Sequence, residues 1–590
     1  VRNAIITPLL EIFGWDVKNP EEVKEEVPIG NKRADYALKI DGDIQVIIEA
    51  KALDKDLTSE GEELSEYERQ AINYAYNQGV NWAILTNGEE WRLYNAYWKG
   101  RKLAFDIEIG EFPKKEVLPK ISLLRKDKVS SGDIEDYFED RPKRPDVDEE
   151  VTQVLLDARA DITQSVVELN EGYTEEEMRD GIQTIIDRLL FMKICEDRDI
   201  IDYGTLRTHK NLVNGDPDEQ TTLSDHLELA FKRFRKVYDG GLFEHQIADE
   251  LDVENGVLRE LIETLYTYDF ASIDVDILGR IYEDYLANVL TKLEEGGVEW
   301  ITDNSERKEH GQFYTPQYIV DYIIDQVDMD TDSLVLDPAC GSGAFLIKAF
   351  DNLKEQYAQE KEEDEVEVNN GIATLSNYLD KETEEDINRR ILTDNLHGVD
   401  LNEEAVEITR INLWLRSIQK DTELNKLDHN IRTGNSLISG TDEELQDYFE
   451  NPEEKNPFNW TDEFQEVFEE NGGFDVVIGN PPYLKISKLD SEQENFLKEK
   501  YNCLKSESNT FAAFIERAED LLSENGVLGF IVHKNLLNLK THDRLREEIL
   551  TEFSIEEIVD MGKGVFDEVT AETIIIILRY NGESKDVTIR

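Results

Sequence analysis

The predicted fold class depends most on residues 333–345, which read Ser333-Leu-Val-Leu-Asp-Pro-Ala-Cys-Gly-Ser-Gly-Ala-Phe345. A short apolar run ends at Asp337 and passes through a glycine-bearing turn into the start of a helix, which is typical of open α/β sheets. Gly341 and Gly343 have no β-carbon, so a ligand could approach the backbone closely where the strand ends. An ordinary strand-to-helix turn would contain the same glycines, and this turn alone leaves both interpretations open.

Similar apolar runs follow along the chain, and each of them ends near Gly, Asp or Asn before a helical segment begins. This alternation predicts an α/β fold with an open, mixed, Rossmann-like sheet over residues 301–590. The acidic segment Gln356 to Arg390 interrupts the pattern and is predicted to be an inserted, solvated surface element. The strands predicted in this way are Ser333 to Leu336, His397 to Val399, Phe474 to Ile478, Val527 to Val532 and Glu572 to Tyr580.

The chain has 590 residues, which is more than one hydrophobic core supports, because domains cluster near ~100 to 200 residues. We expect three domains. Residues 1–124 mix short strands and helices, 125–149 read as a polar, proline-bearing linker, 150–300 as an all-α connector, and 301–590 as the open-sheet domain. No apolar run is long enough to span a membrane and Val1 to Trp15 does not resemble a secretory signal, so we expect a cytoplasmic protein. The cysteines lack the spacing of a disulfide framework or a zinc site.

The formal net charge is −67, from 131 acidic and 64 basic side chains. This is the wrong sign for binding DNA by simple counterion release. Because the acidic residues occur in all regions, we interpret the excess as a general surface trait, as in halophiles, where net charge keeps a protein soluble in strong salt. DNA would then meet a locally basic groove. Activity at low salt that is lost in molar potassium chloride would contradict this hypothesis.

The second predicted strand, His397-Gly-Val-Asp-Leu401, ends in Asp400, whose carboxylate could accept hydrogen bonds from ribose hydroxyls. Gly343 and Asp400 are 57 residues apart, whereas a dinucleotide fold places its acid ~20 residues after the glycines. The acidic insertion explains the difference. The alternative is that Asp400 caps a helix that begins near Glu403.

A third run, Phe474-Asp-Val-Val-Ile-Gly-Asn-Pro-Pro-Tyr483, indicates the chemistry. Two prolines fix the backbone after Asn480, so that its side-chain carbonyl and the Pro481 carbonyl can act as rigid acceptors. Two such acceptors can orient the hydrogens of an exocyclic amine and aim its lone pair at a methyl donor. Tyr483 offers an aromatic face to a base that has left its stack. The alternative is a proline-rich loop with a packing tyrosine.

Through Asp337-Pro-Ala-Cys-Gly-Ser-Gly343 and Asn480-Pro-Pro-Tyr483, the chain resembles the amino-methyltransferases of restriction-modification systems. Gly311-Gln-Phe-Tyr-Thr-Pro316 and Gly434-Asn-Ser-Leu437 extend the resemblance, and the motif order is similar to that of the gamma class. The resemblance implies that S-adenosylmethionine methylates the N6 amino group of an adenine flipped out of double-stranded DNA, with Asn480, Pro481 and Tyr483 as the catalytic residues. It implies cofactor binding by Phe313, Tyr314, Thr315, Asp337, Ala339, Gly341, Gly343, Asp400 and Asn435, the last being more often Asp in the family.

Two related activities rank lower. The enzymes that methylate glutamine in release factors share the Asn-Pro-Pro-Tyr tetrapeptide, but those chains are short and have no nuclease-like amino terminus. Cytosine amino-methylation usually goes with a Ser-Pro-Pro loop, which this sequence does not contain.

Near the amino terminus, Arg33 to Ile40 and Ile44 to Lys51 read as a hairpin joined by Asp41-Gly42-Asp43. A turn centred on Gly42 pairs Asp35 with Glu49, on the face shared with Lys51. The paired carboxylates would repel each other unless neutralised, and a magnesium ion held by both would neutralise them. Lys51 would orient or deprotonate a metal-bound water, and such a site cuts phosphodiesters. A solvated charged hairpin is the alternative.

Asp35 with Glu49-Ala-Lys51 resembles the nuclease-fold amino-terminal domain of type I restriction subunits. Gln70 and Tyr74 match the Gln-x-x-x-Tyr element of that group, and Thr86-Asn-Gly88 with Trp91 matches its next strand and turn. The resemblance implies Asp35, Glu49, Lys51 and Gln70 as catalytic residues, Asp35 and Glu49 as metal ligands, and Glu11 as an additional acid. Packing and capping roles would suit some of the same residues.

The connector segments Asp187 to Arg198 and Leu278 to Leu286 are similar to the helical spacers of fused, type IIG enzymes. The sequence therefore predicts a nuclease, a spacer and a methyltransferase in one chain. A gamma-class enzyme should continue into a target-recognition domain, so we expect either a fragment or a separate specificity subunit. Two other classes stay open: a methyltransferase with an inactive nuclease-like DNA-binding module, and a non-enzymatic scaffold of a defence complex.

Overall fold

The structure is a computed structural model of the chain. It describes residues 2–589 except 21, 30, 31, 41, 54, 58–64, 99–101, 116, 139–146, 213–221, 239, 240, 244–246, 269, 271, 272, 274–287, 293–297, 303–314, 368–382, 421, 423, 506, 563, 564, 566–571 and 582–587. Within the described residues, no helix is both long enough and apolar enough to cross a membrane.

The chain forms two compact units. Unit 1 comprises Val1–Glu171, Ile185–Ala230 and Asp252–Ile281, and unit 2 comprises Gly172–Thr184, Phe231–Leu251 and Tyr282–Arg590. The connector predicted at 150–300 is therefore not a domain of its own, because its helices are divided between the units.

Unit 1 is built on a six-stranded sheet whose strands lie in chain order. Only the central pair is parallel, and helix α2 crosses between its two strands. Tryptophan, tyrosine and aliphatic side chains on one face of this sheet pack with those of the flanking helices and form the core. The strands are β1 (Val23–Ile29), β2 (Lys32–Ile40), β3 (Asp43–Ala50), β4 (Trp82–Thr86), β5 (Glu90–Asn95) and β6 (Leu103–Glu108); the helices are α1 (Thr7–Ile12), α2 (Glu66–Asn77), α3 (Leu118–Ile121), α4 (Lys126–Ser130) and α5 (Asp133–Tyr137).

The linker predicted at 125–149 is wrong over its first half. Helices α4 and α5 form there, and Val129 and Ile134 are buried in the core of the unit 1 sheet. The Lys126 amide also donates a hydrogen bond to the Phe13 carbonyl at 3.0 Å. The prediction relied on the polar and proline content of the segment and missed its two apolar anchors.

The segment that follows is largely helical, as predicted, but it ends in a hairpin. Strands β7 and β8 pair in antiparallel fashion within the predicted all-α connector, so that part of the prediction is wrong. The segment Leu278 to Leu286 lies outside the described residues. The elements are α6 (Val147–Leu169), α7 (Glu175–Asp197), α8 (Thr205–Leu212), α9 (Leu223–Tyr238), α10 (Asn255–Leu265), β7 (Asn288–Lys292) and β8 (Val298–Thr302).

Unit 2 contains an eight-stranded mixed sheet, which confirms the predicted fold class. Its strand order is β11-β10-β9-β12-β13-β15-β14-β16, and β15 runs antiparallel to both of its neighbours. The inner strands are buried on both faces and read as continuous apolar runs, as expected of a sheet covered by helices. The strands are β9 (Val335–Asp337), β10 (Leu396–Asp400), β11 (Ile431–Thr433), β12 (Phe474–Gly479), β13 (Leu522–His533), β14 (Phe553–Gly562), β15 (Thr573–Tyr580) and β16 (Thr588–Ile589).

The described parts of the acidic segment Gln356 to Arg390 lie outside the sheet, in agreement with the predicted surface element, and only Tyr357, Ile387 and Asn388 are buried there. Helix α12 extends through its first residues, and the buried Tyr357 hydroxyl donates to the Thr331 carbonyl at 2.8 Å. Helix α13 buries Ile387 at the other end of the segment. The unit 2 helices are α11 (Gln317–Gln326), α12 (Ala344–Glu367), α13 (Glu384–Arg390), α14 (Glu403–Ser417), α15 (Asp442–Leu445), α16 (Trp460–Glu463), α17 (Ser491–Lys500), α18 (Phe511–Leu521) and α19 (Asp543–Glu552).

Candidate active sites

The candidate methyltransferase site of unit 2 lies at the sheet edge that is formed by the carboxyl ends of the parallel strands. Strands β10, β9, β12 and β13 are mutually parallel, so the residues at their carboxyl ends share that edge. These residues are Asp400, Asp337, Asn480 and His533. A β-carbon on Gly479 would lie only 2.6 Å from Asp337 Oδ1. The residue before Asn480 therefore packs directly against the carboxylate of the neighbouring strand.

The turn after β9 is held by hydrogen bonds to the ends of the strands. Asp337 Oδ1 accepts from the Ala339 amide at 3.0 Å, and the Gly341 amide donates to Asp400 Oδ2 at 3.0 Å. Gly341 and Gly343 have φ angles of +52° and +87°, a region that favours glycine. A β-carbon on Gly343 would lie 2.9 Å from Thr409 Cγ2. Packing on Thr409 therefore suffices to explain Gly343 as a structural residue, and the cofactor role that the family resemblance implies for it stays a prediction.

Asp400 does not cap helix α14, so that alternative is wrong. The N-cap is Asn402, whose side chain accepts from the amides of Glu404 and Ala405. The Asp400 carboxylate accepts from the Asn402 amide at 2.9 Å as well as from Gly341. Each carboxylate oxygen can accept a further hydrogen bond.

Both carboxylates of this edge are buried, and burial disfavours their charged forms. Burial raises the pKa of Asp337 to about 8, assisted by the nearby Asp400 and opposed by the Ala339 amide. Burial also raises the pKa of Asp400, while the Asn402, Gly341 and Leu401 amides oppose the shift. A bound cation would offset this cost, because it favours the ionised carboxylate.

The raised pKa of Asp337 predicts a pH dependence of stability. The folded protein holds this proton at pH values where the unfolded chain has lost it, so the contribution of Asp337 is complete below its unfolded pKa and decreases as the pH rises towards about 8. Asp337→Asn, which cannot ionise, should flatten the decrease in melting temperature between pH ~4 and pH ~8 in ligand-free protein. An unchanged slope in thermal unfolding would contradict this account.

The Asn480 side chain is fixed by two hydroxyl groups. Its Nδ2 donates to Thr315 Oγ1 at 3.0 Å, and its Oδ1 accepts from the Tyr483 hydroxyl at 2.6 Å. The Tyr483 hydroxyl lies 3.0 Å from the Ile531 carbonyl oxygen on β13, and burial raises the Tyr483 pKa, so the hydroxyl stays protonated. An amide carbonyl oxygen such as Asn480 Oδ1 can accept two hydrogen bonds.

Tyr483 has a second role besides the stacking face that the sequence predicts, which stays a prediction. Its ring meets those of Phe511 and His533 edge-on, with centroid distances of 6.2 and 6.5 Å. Its hydroxyl orients Asn480, which the sequence analysis did not anticipate because the Ile531 contact depends on the pairing of β12 with β13. The adjoining Pro481 is buried.

The remaining predicted cofactor residues are partly described. Asn435 Oδ1 accepts a hydrogen bond from the Leu437 backbone amide at 3.1 Å, and the Asn435 backbone amide donates one to the Asn456 carbonyl at 2.6 Å. Ser436 Oγ donates to the Pro338 carbonyl at 2.6 Å, which joins this loop to the turn after β9. Ser436 was missed by the sequence analysis. Phe313 and Tyr314 lie outside the described residues.

The candidate nuclease site of unit 1 follows from the register of β2 and β3. Tyr36 pairs with Ile48 and Leu38 with Val46, which places Asp35 beside Glu49 as the turn geometry predicted. A register shift after Leu38 makes Ile40 pair with Asp43, so the turn itself is not symmetric. Asp35 Oδ2 accepts from the Ala50 amide at 2.5 Å.

Lys51 connects the acidic pair to helix α2. Its Nζ donates to Glu49 Oε1 at 2.6 Å and to Gln70 Oε1 at 3.0 Å. Gln70 Nε2 in turn donates to the Tyr74 hydroxyl at 2.7 Å. The predicted residues Glu49, Lys51 and Gln70 therefore form one hydrogen-bonded chain, which fixes the position of the ammonium group.

The two acids are almost completely buried, with 5% of each residue exposed. Glu49 Oε2 is buried and has no hydrogen-bond partner among the described residues. Burial raises the pKa of Glu49, while Lys51 and Arg2 oppose the shift. The Arg2 guanidinium pairs with Asp35 Oδ1, a contact that the sequence analysis did not predict.

The structure also describes the two remaining predicted elements, and only Glu11 differs from the prediction. Glu11 is exposed on α1 and no contact joins it to Asp35 or Glu49 among the described residues. Residues Thr86 to Gly88 form the turn between β4 and β5, where Asn87 Oδ1 accepts from the amides of Glu89 and Glu90. Trp91 is buried in the core.

Three family models match parts of the chain. The Eco57I restriction-modification methylase matches residues 394–566, the RMKL-like methyltransferase domain matches 322–439, and the N terminus of the type I restriction enzyme R protein matches 26–102. The first two lie on the unit 2 sheet and the third covers β2, β3 and the candidate nuclease residues.

Similar proteins extend over most of the chain. The type II restriction enzyme and methyltransferase RM.Eco57I of Escherichia coli is 27% identical, covering 99% of this chain and 60% of the relative. The methylase subunit of type I restriction enzyme MjaVII of Methanocaldococcus jannaschii is 25% identical, covering 55% of this chain and 44% of the relative. A cryo-EM structure of a DrdV-DNA complex matches with a TM-score of 0.44 and 16% identity, covering 97% of this chain and 52% of that one.

The chain thus spans about 60% of the length of its E. coli relative. An R protein segment followed by a methylase segment in one chain is the arrangement that the sequence predicted. The chain is therefore similar, over almost its whole length, to a type II restriction enzyme and methyltransferase.

Proposed function

We propose that the chain transfers a methyl group from S-adenosylmethionine to the N6 amino group of an adenine flipped out of double-stranded DNA. The observation that carries the proposal is Asn480, whose carbonyl oxygen is oriented by Tyr483 at the same sheet edge as Asp337 and Asp400. The similarity to type II restriction enzymes and methyltransferases supports it.

The donor set of this edge fits S-adenosylmethionine. Asp400 would accept hydrogen bonds from the hydroxyl groups of S-adenosylmethionine. The buried Asp337 would favour the cationic groups of S-adenosylmethionine, because a nearby positive charge stabilises an ionised carboxylate. Gly341, whose amide binds Asp400, brings the backbone close to the ligand. Ala339, Gly343, Thr315 and Asn435 would complete the cofactor pocket, with Phe313 and Tyr314 retained from the family resemblance.

In this proposal, Asn480 Oδ1 and the Pro481 carbonyl each accept one hydrogen of the adenine amine. S-adenosylmethionine, when bound, would supply the methyl group as a sulfonium. Asn480 and Pro481 would direct the lone pair of the amine towards that methyl group, and the amine would release its extra proton to solvent. The residues orient the amine and form no covalent intermediate, so the contribution is positional and electrostatic.

The test is methyl transfer from radiolabelled S-adenosylmethionine to genomic DNA, followed by nucleoside analysis. We expect N6-methyladenine, and transfer to glutamine in a release factor or to cytosine would replace the proposal by one of its alternatives. Because the chain spans only part of its relatives, the assay should be run with and without a separate specificity subunit.

We also propose that unit 1 cleaves DNA with magnesium. The donor set fits the ion, since magnesium prefers oxygen ligands and Glu49 Oε2 is a buried acceptor without a hydrogen-bond partner among the described residues. Asp35 and Glu49 would hold the metal, which would supply an acidified water and neutralise charge on the phosphate. Lys51, held by Glu49 and Gln70, would orient that water. The ion pair between Arg2 and Asp35 favours the second candidate, an inactive nuclease-like module that binds DNA.

A further inference from the structure

A loop beside Asn480 exposes leucine side chains to solvent. Residues 533–542, which we call the wedge loop, follow β13 at the sheet edge where Asn480 follows the parallel strand β12. The Tyr483 hydroxyl contacts the Ile531 carbonyl, and its ring lies 6.5 Å from that of His533. The wedge loop therefore begins next to the group that would receive the target adenine.

The leucines are held out by an ordered loop. Leu537 is 43% exposed and Leu539 is 42% exposed, whereas Leu536 and His542 are buried and anchor the two ends. Arg546 Nη1 donates to the carbonyls of Leu536 at 2.7 Å and Leu539 at 2.9 Å. These two hydrogen bonds fix the backbone on both sides of Leu537, so the two exposed leucines could turn inward only if the hydrogen bonds broke.

Basic residues are concentrated in the sequence of the loop, and one of them, Lys534, is paired with Asp560 and Glu572. Between Lys534 and Arg546 there are four basic residues and one acidic residue, Asp543, in a protein with 131 acidic and 64 basic side chains. Lys540 and Arg544 are exposed, and neither forms an ion pair with a described acidic side chain. Asp543 is itself paired with Lys505. Exposed, unpaired cations beside apolar side chains fit a polyanion with an apolar interior, which is a nucleic acid duplex.

We propose that the wedge loop enters the DNA duplex and that Leu537 and Leu539 fill the gap left by the flipped adenine. Apolar side chains inserted between base steps stabilise unstacked DNA, and an enzyme that acts on a flipped base must offset the lost stacking. Lys540 and Arg544 contact the flanking phosphates. This inference rests on the proposed methyltransferase function. Asn480 would bind the flipped adenine, and the wedge loop would occupy the gap that the adenine leaves in the duplex.

The test uses the full chain with two labelled duplexes of the same sequence, one intact and one with a single abasic site that provides the gap. Fluorescence anisotropy in the presence of S-adenosylmethionine should show tighter binding of the abasic duplex. The double variant Leu537→Ser with Leu539→Ser should lose about tenfold of this preference, while binding S-adenosylmethionine as before. The corresponding methionine variants should keep the preference because they keep the apolar surface.

Leu550→Ser is the matched control, since Leu550 is 71% exposed on helix α19, outside the wedge loop. It should leave the preference unchanged. Lys540→Ala with Arg544→Ala should weaken binding of both duplexes alike and reduce the salt slope by about two, which is one per phosphate contact.

Two results would overturn the inference in different ways. If the serine variant keeps the wild-type preference, or changes only the binding of a specificity subunit, the leucines form no DNA wedge although the methyltransferase proposal stands. If the wild-type protein binds neither S-adenosylmethionine nor DNA, the proposed function fails together with the wedge.

Discussion

Asn480→Ala should lower the rate of methyl transfer by about 100- to 1,000-fold, the effect of removing one oriented hydrogen-bonding group from a transition state. Asn480 Oδ1 is held by the Tyr483 hydroxyl at 2.6 Å and Nδ2 by Thr315 at 3.0 Å, so its position does not depend on the substrate. The alanine variant loses an acceptor for the amine and leaves both hydroxyl groups without this partner. Single-turnover transfer of labelled methyl groups measures the loss.

Binding should separate this effect from a folding defect. Because Asn480 would act on the amine rather than on the methyl donor, we expect calorimetry to show the wild-type affinity for S-adenosylmethionine. Tyr483→Phe keeps the ring but not the donor that orients Asn480, and a smaller loss of about tenfold is expected. The exposed Asn451 gives a matched control, as Asn451→Ala should be fully active. Full activity of the Asn480 variant would remove the basis of the proposal.

The residues at this sheet edge could be predicted because each of them is marked by its own neighbours in the sequence. Asp337, Asp400 and Asn480 each end a short apolar run, and parallel strands bring their carboxyl ends together without knowledge of any side-chain contact. The pairing of Asp35 with Glu49 could be predicted for a similar reason, since residues facing each other near a short turn are fixed by register.

The contacts that were missed join residues far apart in the chain. The Tyr483 hydroxyl lies beside the Ile531 carbonyl, Gly343 packs on Thr409, and Arg2 pairs with Asp35. No sequence periodicity predicts these contacts. The linker prediction was wrong because it relied on the polar composition of the segment, whereas a few apolar residues decide whether the segment is buried. Val129 and Ile134 are enough to fold a polar stretch onto the core, because each fully buried aliphatic side chain contributes about 1.5 to 3 kcal/mol.

Glu49→Gln should lower the rate of DNA cleavage by about 100-fold or more, while leaving the rate of methyl transfer unchanged. Glutamine keeps the shape and one oxygen of the side chain but not the negative charge that would hold the metal. A loss of folding cannot account for the expected result. Burial raises the pKa of Glu49, so in the metal-free protein its charge costs stability, and this cost grows as the pH rises through the folded-state pKa.

The glutamine variant should therefore unfold at the same temperature as the wild type or higher when magnesium is absent, and only the wild type should gain stability when magnesium is added. Glu25→Gln on the neighbouring strand β1, where the side chain is exposed, is the matched control and should cleave normally. Asp35→Ala in the full-length system decides between the two candidate functions of unit 1. Unchanged cleavage would make the buried acids part of a DNA-binding module, whereas lost cleavage with a lost magnesium response would place the metal between Asp35 and Glu49.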